Sequence, residues 1–115
     1  MSFSITLSEQ AVGDILSIYN YIAKTLNAPT AAARQIDRLE DAISRLADIP
    51  EGFARYEEEP WHGRGLRRMP VDKYCVFYIA NLKDEEVSVS RILYGGRNIQ
   101  DELDANSASE GDSTR

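Results

Sequence analysis

A chain of 115 residues, 43% of them hydrophobic, has room for one domain with one modest core. It contains no apolar run of the roughly 20 residues that a membrane-spanning helix needs, and its opening, MSFSITLSEQ, lacks the basic and apolar regions of a signal peptide. The single cysteine, Cys75, excludes an intrachain disulfide and is predicted to be a small core residue. We therefore expect a cytoplasmic protein that makes no use of a membrane.

The net charge of −6 is unfavourable for a nucleic-acid partner, because phosphate binding normally needs a basic surface. This charge is unevenly distributed. Residues 101–115 carry five acids and one base, which is −4 and leaves only −2 for the first hundred residues. Between residues 61 and 78, four bases oppose one acid, Asp72; they are Arg64, Arg67, Arg68 and Lys73. The sequence thus places a basic strip on a mildly acidic body.

The N-terminal half predicts one strand and two helices. Residues 2–7 alternate polar and apolar, as a half-buried strand does. Ser8 is a suitable N-cap for a helix of about 18 residues, whose apolar positions recur at helical spacing: Ala11, Ile15, Ile18, Ile22 and Leu26. Pro29 suits the first turn of a second helix ending near Pro50, with the apolar set Ala32, Ile36, Leu39, Ile43 and Leu46. Two such helices are expected to pack as an antiparallel hairpin.

The C-terminal half is dominated by strand signals. Residues 66–70, 74–80 and 87–94 predict three strands of an antiparallel meander. In the middle strand, Cys75 and Phe77 fall on one face while Val76 and Tyr78 fall on the other, so a central position is indicated.

These elements predict an α+β fold of order β-α-α-β-β-β, with a helical hairpin packed on one face of a small antiparallel sheet and the other face open to a partner. A short C-terminal helix is expected within residues 97–103. The domain is predicted to span residues 1–104, followed by a disordered acidic tail at 105–115.

The sequence argues against several kinds of active site. With one histidine (His62) and one cysteine there is no zinc-type ligand cluster, and nothing supports a catalytic triad. The glycines of GRGLRR and YGGR lack the spacing of phosphate-binding loops. We therefore expect no metal and no cofactor.

The basic and aromatic residues of the C-terminal half remain as candidates, since arginines beside tyrosines on a sheet can grip phosphates and stack on bases. Strand alternation puts Arg67 and Arg68 on opposite faces. It also puts Arg91 with Val87 and Val89 on a buried face, where a charge must be paired or lie at the margin. The candidates for binding a nucleic acid or another target are Arg64, Arg67, Lys73, Tyr74 and Arg91.

Four segments, in order and spacing, resemble the RelE/ParE superfamily of toxins from type II toxin-antitoxin systems. They are AVGDILSIYNYI (residues 11–22), LEDAISRLADIP (39–50), GLRRMPVDKYCVFY (65–78) and VSVSRILYGGR (87–97). The resemblance covers about residues 3–103. It implies a compact toxin that a cognate antitoxin protein holds inactive.

The family divides by target, and the resemblance carries over only some functional residues. Arg68 loosely matches the arginine before the middle strand, Arg97 matches the arginine after the last strand, and Tyr94 stands where many ParE-like sequences have histidine. Leu103 stands where RelE has a catalytic tyrosine. We take Arg68, Tyr94 and Arg97 as the candidate catalytic residues.

The RILYGGR ending favours ParE-like or plasmid-stabilisation members, so we expect inhibition of DNA gyrase. The alternative is a RelE-like, metal-independent endonuclease that cleaves messenger RNA on the ribosome. In it, Arg67, Arg68 and Arg97 would stabilise the phosphate, and Tyr94, Lys73 or His62 would transfer protons. A further alternative is an inactive protein-binding module with the same fold.

Overall fold

The computed structural model describes residues 2–96 and 99–104. Strand β1 (Ser4–Leu7) leads into helix α1 (Glu9–Asn20), which continues as a π-helical segment (Tyr21–Thr25). Helix α2 (Pro29–Arg45) follows, then strands β2 (Leu66–Val71), β3 (Tyr74–Asn81) and β4 (Glu86–Tyr94). Residues 99–104 form a short C-terminal helix. The predicted order of elements is confirmed; the predicted tail at 105–115 lies outside the described residues.

The four strands form one sheet in the order β1-β4-β3-β2. The last three strands are antiparallel, as predicted, while β1 pairs with β4 in parallel through Ser4–Glu86 to Leu7–Val89. β1 therefore covers only the first half of β4. The second half of β4 is left as an edge, where α1 lies alongside.

Local sequence explains where the helices begin and how the first one ends. The Ser8 hydroxyl accepts a hydrogen bond from the Ala11 amide at 3.0 Å, which is an N-cap contact, and Pro29 occupies the first turn of α2. Leu26 donates its amide to the Tyr21 carbonyl at 3.0 Å, five residues back, as in a π-helix. This wider turn explains why Leu26, predicted to be buried, is 55% exposed. The second helix ends at Arg45, before the predicted Pro50.

The helical hairpin buries the larger of two apolar clusters against one face of the sheet. Val76 and Tyr78 of β3 lie in it with Leu39 and Ile43 of α2, and all four are buried. The predicted division of β3 is confirmed, because Cys75 and Phe77 belong to a second cluster on the opposite face.

That opposite face is not open, which corrects the expectation from sequence. Tyr56 and Leu103 are buried there, and Trp61 packs against the same cluster. The covering residues come from the connection between α2 and β2 and from the C-terminal helix. Trp61 Nε1 donates to Asp104 Oδ1 at 3.2 Å, which ties the two coverings together. Both faces of the sheet are therefore largely occupied.

Candidate functional site

Arg91 lies at the edge of β4, just beyond the end of β1, and is fully engaged. A β-bulge at Ser90 shifts the register between Phe77–Arg91 and Tyr78–Val89, so Arg91 does not share the face of Val89 as predicted. Its Nε and Nη2 donate to the two carboxylate oxygens of Asp14 at 2.8 and 3.0 Å, and the Asp14 carboxylate also accepts the Ile92 amide at 2.8 Å.

The ion pair between Arg91 and Asp14 is largely buried, with both side chains about 15% exposed or less. Hydrogen bonding to Asp14 raises the pKa of Arg91. Glu102 of the C-terminal helix adds a longer contact at 3.8 Å. The expectation that a charge at this position must be paired is confirmed, and Arg91 is a structural residue rather than a free binding group.

Arg67 and Arg68 lie on opposite faces of β2, as strand alternation predicted. Arg67 Nη1 donates to the Phe53 carbonyl at 2.6 Å, and its Nη2 pairs with Glu51 at 3.3 Å. Arg68 Nε points at the Cys75 sulfur at 3.3 Å on the second face. Among the described residues, Arg67 contacts a carboxylate and Arg68 contacts none.

The connection between α2 and β2 holds two further candidates on the side of the second face. The Arg64 guanidinium lies 4.9 Å from the centre of the Trp61 ring, in a cation–π contact. His62 is exposed, and its Nδ1 is 3.7 Å from Glu59. Among the described residues, neither side chain has a contact that reaches the end of β4.

Tyr74 and Tyr94 meet where β3 begins and β4 ends. Their ring centres are 6.0 Å apart in an edge-to-face arrangement. The pKa of Tyr74 is raised, first by burial and then by the neighbouring hydroxyls of Tyr21 and Tyr94. Lys73 is exposed in the adjoining turn, and its carbonyl accepts the Gly95 amide at 2.8 Å. We call Tyr21, Tyr74 and Tyr94 the tyrosine cluster.

Tyr21 was missed by the sequence analysis. It comes from the π-helical segment, and no pattern in the sequence marked it as a site residue. Arg97 directly follows the described part of this region and lies outside it. The structure thus brings Tyr74, Tyr94 and Lys73 together. Arg68 contacts Cys75, next to Tyr74 but on the opposite face of the sheet, while Arg64, Arg67 and Arg91 make their contacts elsewhere.

Asp72 links the turn between β2 and β3, beside the tyrosine cluster, to α2 through hydrogen bonds. The Asp72 carboxylate accepts hydrogen bonds from Arg38 Nε at 2.7 Å and from Gln35 Nε2 at 3.0 Å. These two hydrogen bonds lower the pKa of Asp72 below its ordinary value of 3.8. Because the pKa of Asp72 is lower in the folded than in the unfolded protein, the ionised carboxylate stabilises the fold above pH 3.8. This stabilisation is lost as the pH falls through the pKa of the folded state.

Replacing Asp72 by asparagine tests this contact. Asparagine tolerates the left-handed backbone of this position (φ 56°), so the change removes charge with little strain. Because the pair is partly exposed, the expected loss of unfolding free energy at pH 7 is at most about 1 kcal/mol. The loss should shrink when urea unfolding is measured at pH 3. An equal difference at both pH values would contradict the assigned cause.

The comparisons with known proteins agree with this fold. Residues 5–99 match the family described as "ParE toxin of type II toxin-antitoxin system, parDE". The chain belongs to the ParE toxin family. No curated protein sequence matches it.

Solved structures similar to this ParE-family chain share its fold at low sequence identity. A chain of the chromosomal ParDE system from P. aeruginosa is 19% identical with a TM-score of 0.67, covering 81% of this chain and 96% of that one. A chain of the RelBE2 toxin-antitoxin complex from Mycobacterium tuberculosis is 15% identical with a TM-score of 0.59, covering 82% and 99%. The E. coli toxin RelE, as a free mutant, is 12% identical with a TM-score of 0.58, covering 96% and 98%.

Two kinds of feature are absent from residues 2–96 and 99–104. No group of three His, Cys, Asp or Glu side chains there is arranged to hold a metal ion. No helix in the same ranges is long and apolar enough to cross a membrane.

Proposed function

We propose that this ParE-family toxin arrests growth by binding DNA gyrase as a protein ligand and that a cognate antitoxin neutralises it. The observation that carries the proposal is that Leu103, where RelE has a catalytic tyrosine, is buried in the second apolar cluster. RNA cleavage requires a proton acceptor, a proton donor and a cation for the phosphate within reach of one scissile bond.

Of the proton-transfer candidates, His62 lies apart from Lys73 and Tyr94. His62 belongs to the covering of the second face and faces Glu59, whereas Tyr94 lies on the same side of the sheet as Tyr74 and the helical hairpin. Two candidate cations, Arg67 and Arg91, are engaged by carboxylates. These contacts support a toxin that acts by binding.

Leu103 supports the same proposal. It stands where RelE has a catalytic tyrosine, and here it is 2% exposed within the second apolar cluster. A side chain so placed packs the C-terminal helix against the sheet and cannot meet a substrate. The helix that bears a catalytic group in RelE would serve here as part of the core.

An antitoxin partner fits both the relatives and an exposed part of α1. The similar chains from P. aeruginosa and M. tuberculosis come from systems named as toxin-antitoxin pairs. On α1, Val12 and Leu16 are 47% and 60% exposed at a spacing of four residues, so they share one helix face. An apolar antitoxin segment would remove this face from water.

A ribosome-dependent endonuclease is the second candidate. The fold similarity to RelE and the neighbouring Lys73 and Tyr94, which offer an amine and a phenol at one place, favour it. An inactive protein-binding module is the third.

One expression experiment separates the three. The chain is induced in a gyrase-sensitive bacterial host, with and without the reading frame encoded beside it, and plasmid supercoiling and messenger integrity are measured in the same cultures. We expect growth arrest with relaxed plasmid and intact messenger, relieved by the neighbouring frame. Early messenger cleavage with normal supercoiling would indicate the nuclease, and unimpaired growth the inactive module.

A further inference from the structure

We propose that the tyrosine cluster, together with Lys73, is the surface through which this toxin binds its target, and that this surface recognises an acidic patch on a protein. This inference rests on the proposed function and adds to it a location, a further contact residue (Tyr21) and the chemistry of the partner.

The cluster is built from three separate elements and remains exposed. Tyr21 comes from the π-helical segment, Tyr74 from the start of β3 and Tyr94 from the end of β4. Tyr21 is 53% and Tyr94 45% exposed, while Tyr74 is partly buried. An exposed tyrosine held by a neighbouring ring, as Tyr94 is by Tyr74, suits a binding hot spot, because it buries a large area at small entropic cost.

Gly96 leaves room for the Tyr94 ring. A Cβ atom at residue 96 would lie 2.6 Å from this ring, closer than two non-bonded carbon atoms approach each other. The Tyr94 ring therefore rests directly against the backbone of Gly96. Neighbouring Gly95 is bonded to the Lys73 carbonyl, so the double glycine joins the ring to the turn that bears Lys73.

Two exposed lysines belong to the segments that carry the tyrosine cluster. Lys24 lies in the π-helical segment with Tyr21, and Lys73 directly precedes Tyr74. The acid next to Lys73, Asp72, is bound by Arg38 and Gln35. Phenol hydroxyls and ammonium groups both donate hydrogen bonds, so carboxylates are the groups that this surface is suited to bind.

A protein partner fits this surface better than a nucleic acid. A base-stacking platform needs open ring faces, whereas Tyr74 and Tyr94 are packed edge to face. Arg67 and Arg91, which could otherwise hold a phosphate, are paired with carboxylates, and Arg68 lies on the opposite face of the sheet. The net charge of −6 also repels a polyanion at long range, while a local acidic patch on a protein is attracted by the nearby lysines.

The test compares matched variants of the full chain with purified bacterial DNA gyrase. Tyr21→Ala and Tyr94→Ala remove exposed tyrosines of the cluster. Their control is Tyr19→Ala, which removes an exposed tyrosine two residues before Tyr21, on the opposite side of the helix. Lys73→Glu is paired with Lys83→Glu, in the turn between β3 and β4. Gly96→Ala displaces the Tyr94 ring without removing it. Thermal unfolding of each exposed-site variant confirms that it is folded.

We expect Tyr21→Ala, Tyr94→Ala and Gly96→Ala each to raise the gyrase dissociation constant about tenfold, and Tyr19→Ala to leave it unchanged. Lys73→Glu should weaken binding more at low than at high salt, unlike Lys83→Glu. Equal effects within each pair, with wild-type binding intact, would overturn this inference and leave the proposed function standing. Absence of wild-type binding would instead refute the proposed function, and this inference with it.

Discussion

Replacing Asp14 by alanine is expected to lower the free energy of unfolding by about 3–5 kcal/mol. The substitution leaves the guanidinium of Arg91 without its main partner although only 14% of that side chain is exposed. It also removes the acceptor of the Ile92 amide, on a part of β4 that has no neighbouring strand on that side. Because domains of this size are stable by only about 5–15 kcal/mol, the loss is large. Urea unfolding measures it.

Two controls make this prediction specific. Asp37→Ala removes an exposed acid from α2 and is expected to change the unfolding free energy by less than about 0.5 kcal/mol. The double variant Asp14→Leu with Arg91→Met should recover part of the loss, because it removes the unpaired guanidinium but still leaves the Ile92 amide without its acceptor. An Asp14→Ala variant as stable as wild type would show that the pair does not hold α1 to the sheet.

Replacing Leu103 by alanine is expected to cost about 2–4 kcal/mol. The side chain is 2% exposed among Tyr56, Leu93 and Ile99, so truncation leaves a cavity between the C-terminal helix and the sheet. Equilibrium unfolding of Leu103→Ala should show this loss. Leu82→Ala is the matched control: this leucine is 54% exposed, and a change below about 0.5 kcal/mol is expected.

Leu103→Tyr tests the functional meaning of the same position. If the protein differed from RelE only in lacking the catalytic tyrosine, Leu103→Tyr would restore messenger cleavage. The enclosed site predicts instead that tyrosine overpacks the cluster, costs about 1–3 kcal/mol and gives no cleavage in a ribosome-containing translation extract. Cleavage by Leu103→Tyr would contradict the packing role assigned to this residue.

The alternation of β3 could be predicted from sequence because strand geometry has a fixed period of two. Cys75 and Phe77 occupy one face, and Val76 and Tyr78 the other, as the letters alone indicated. The apolar set of α2 was predictable for the same kind of reason, since Leu39 and Ile43 follow the helical period.

Breaks in periodicity could not be predicted. The bulge at Ser90 inserts one residue into β4, so counting in twos placed Arg91 with Val87 and Val89 and missed its partner, 77 residues away in sequence. The π-helical turn likewise rotates Leu26 outward. No local residue preference predicts either of these backbone irregularities.

The covering of the second face was missed for a different reason. Tyr56, Trp61 and Leu103 are isolated apolar residues in irregular or short segments, where no period marks a buried side. The candidate site was partly predictable: Lys73, Tyr74 and Tyr94 do lie together, whereas Arg91 became a structural residue. Predicting that Tyr21 belongs to the site would have required knowing where α1 ends relative to β4.

The most direct test of the binding mechanism is a supercoiling reaction with purified gyrase, relaxed plasmid and increasing amounts of this protein, without ribosomes or RNA. We expect supercoiling to fall as the protein approaches stoichiometric excess, and to return when the cognate antitoxin is added. Unchanged supercoiling at a large excess of folded wild-type protein would contradict the proposal that this toxin acts by binding gyrase.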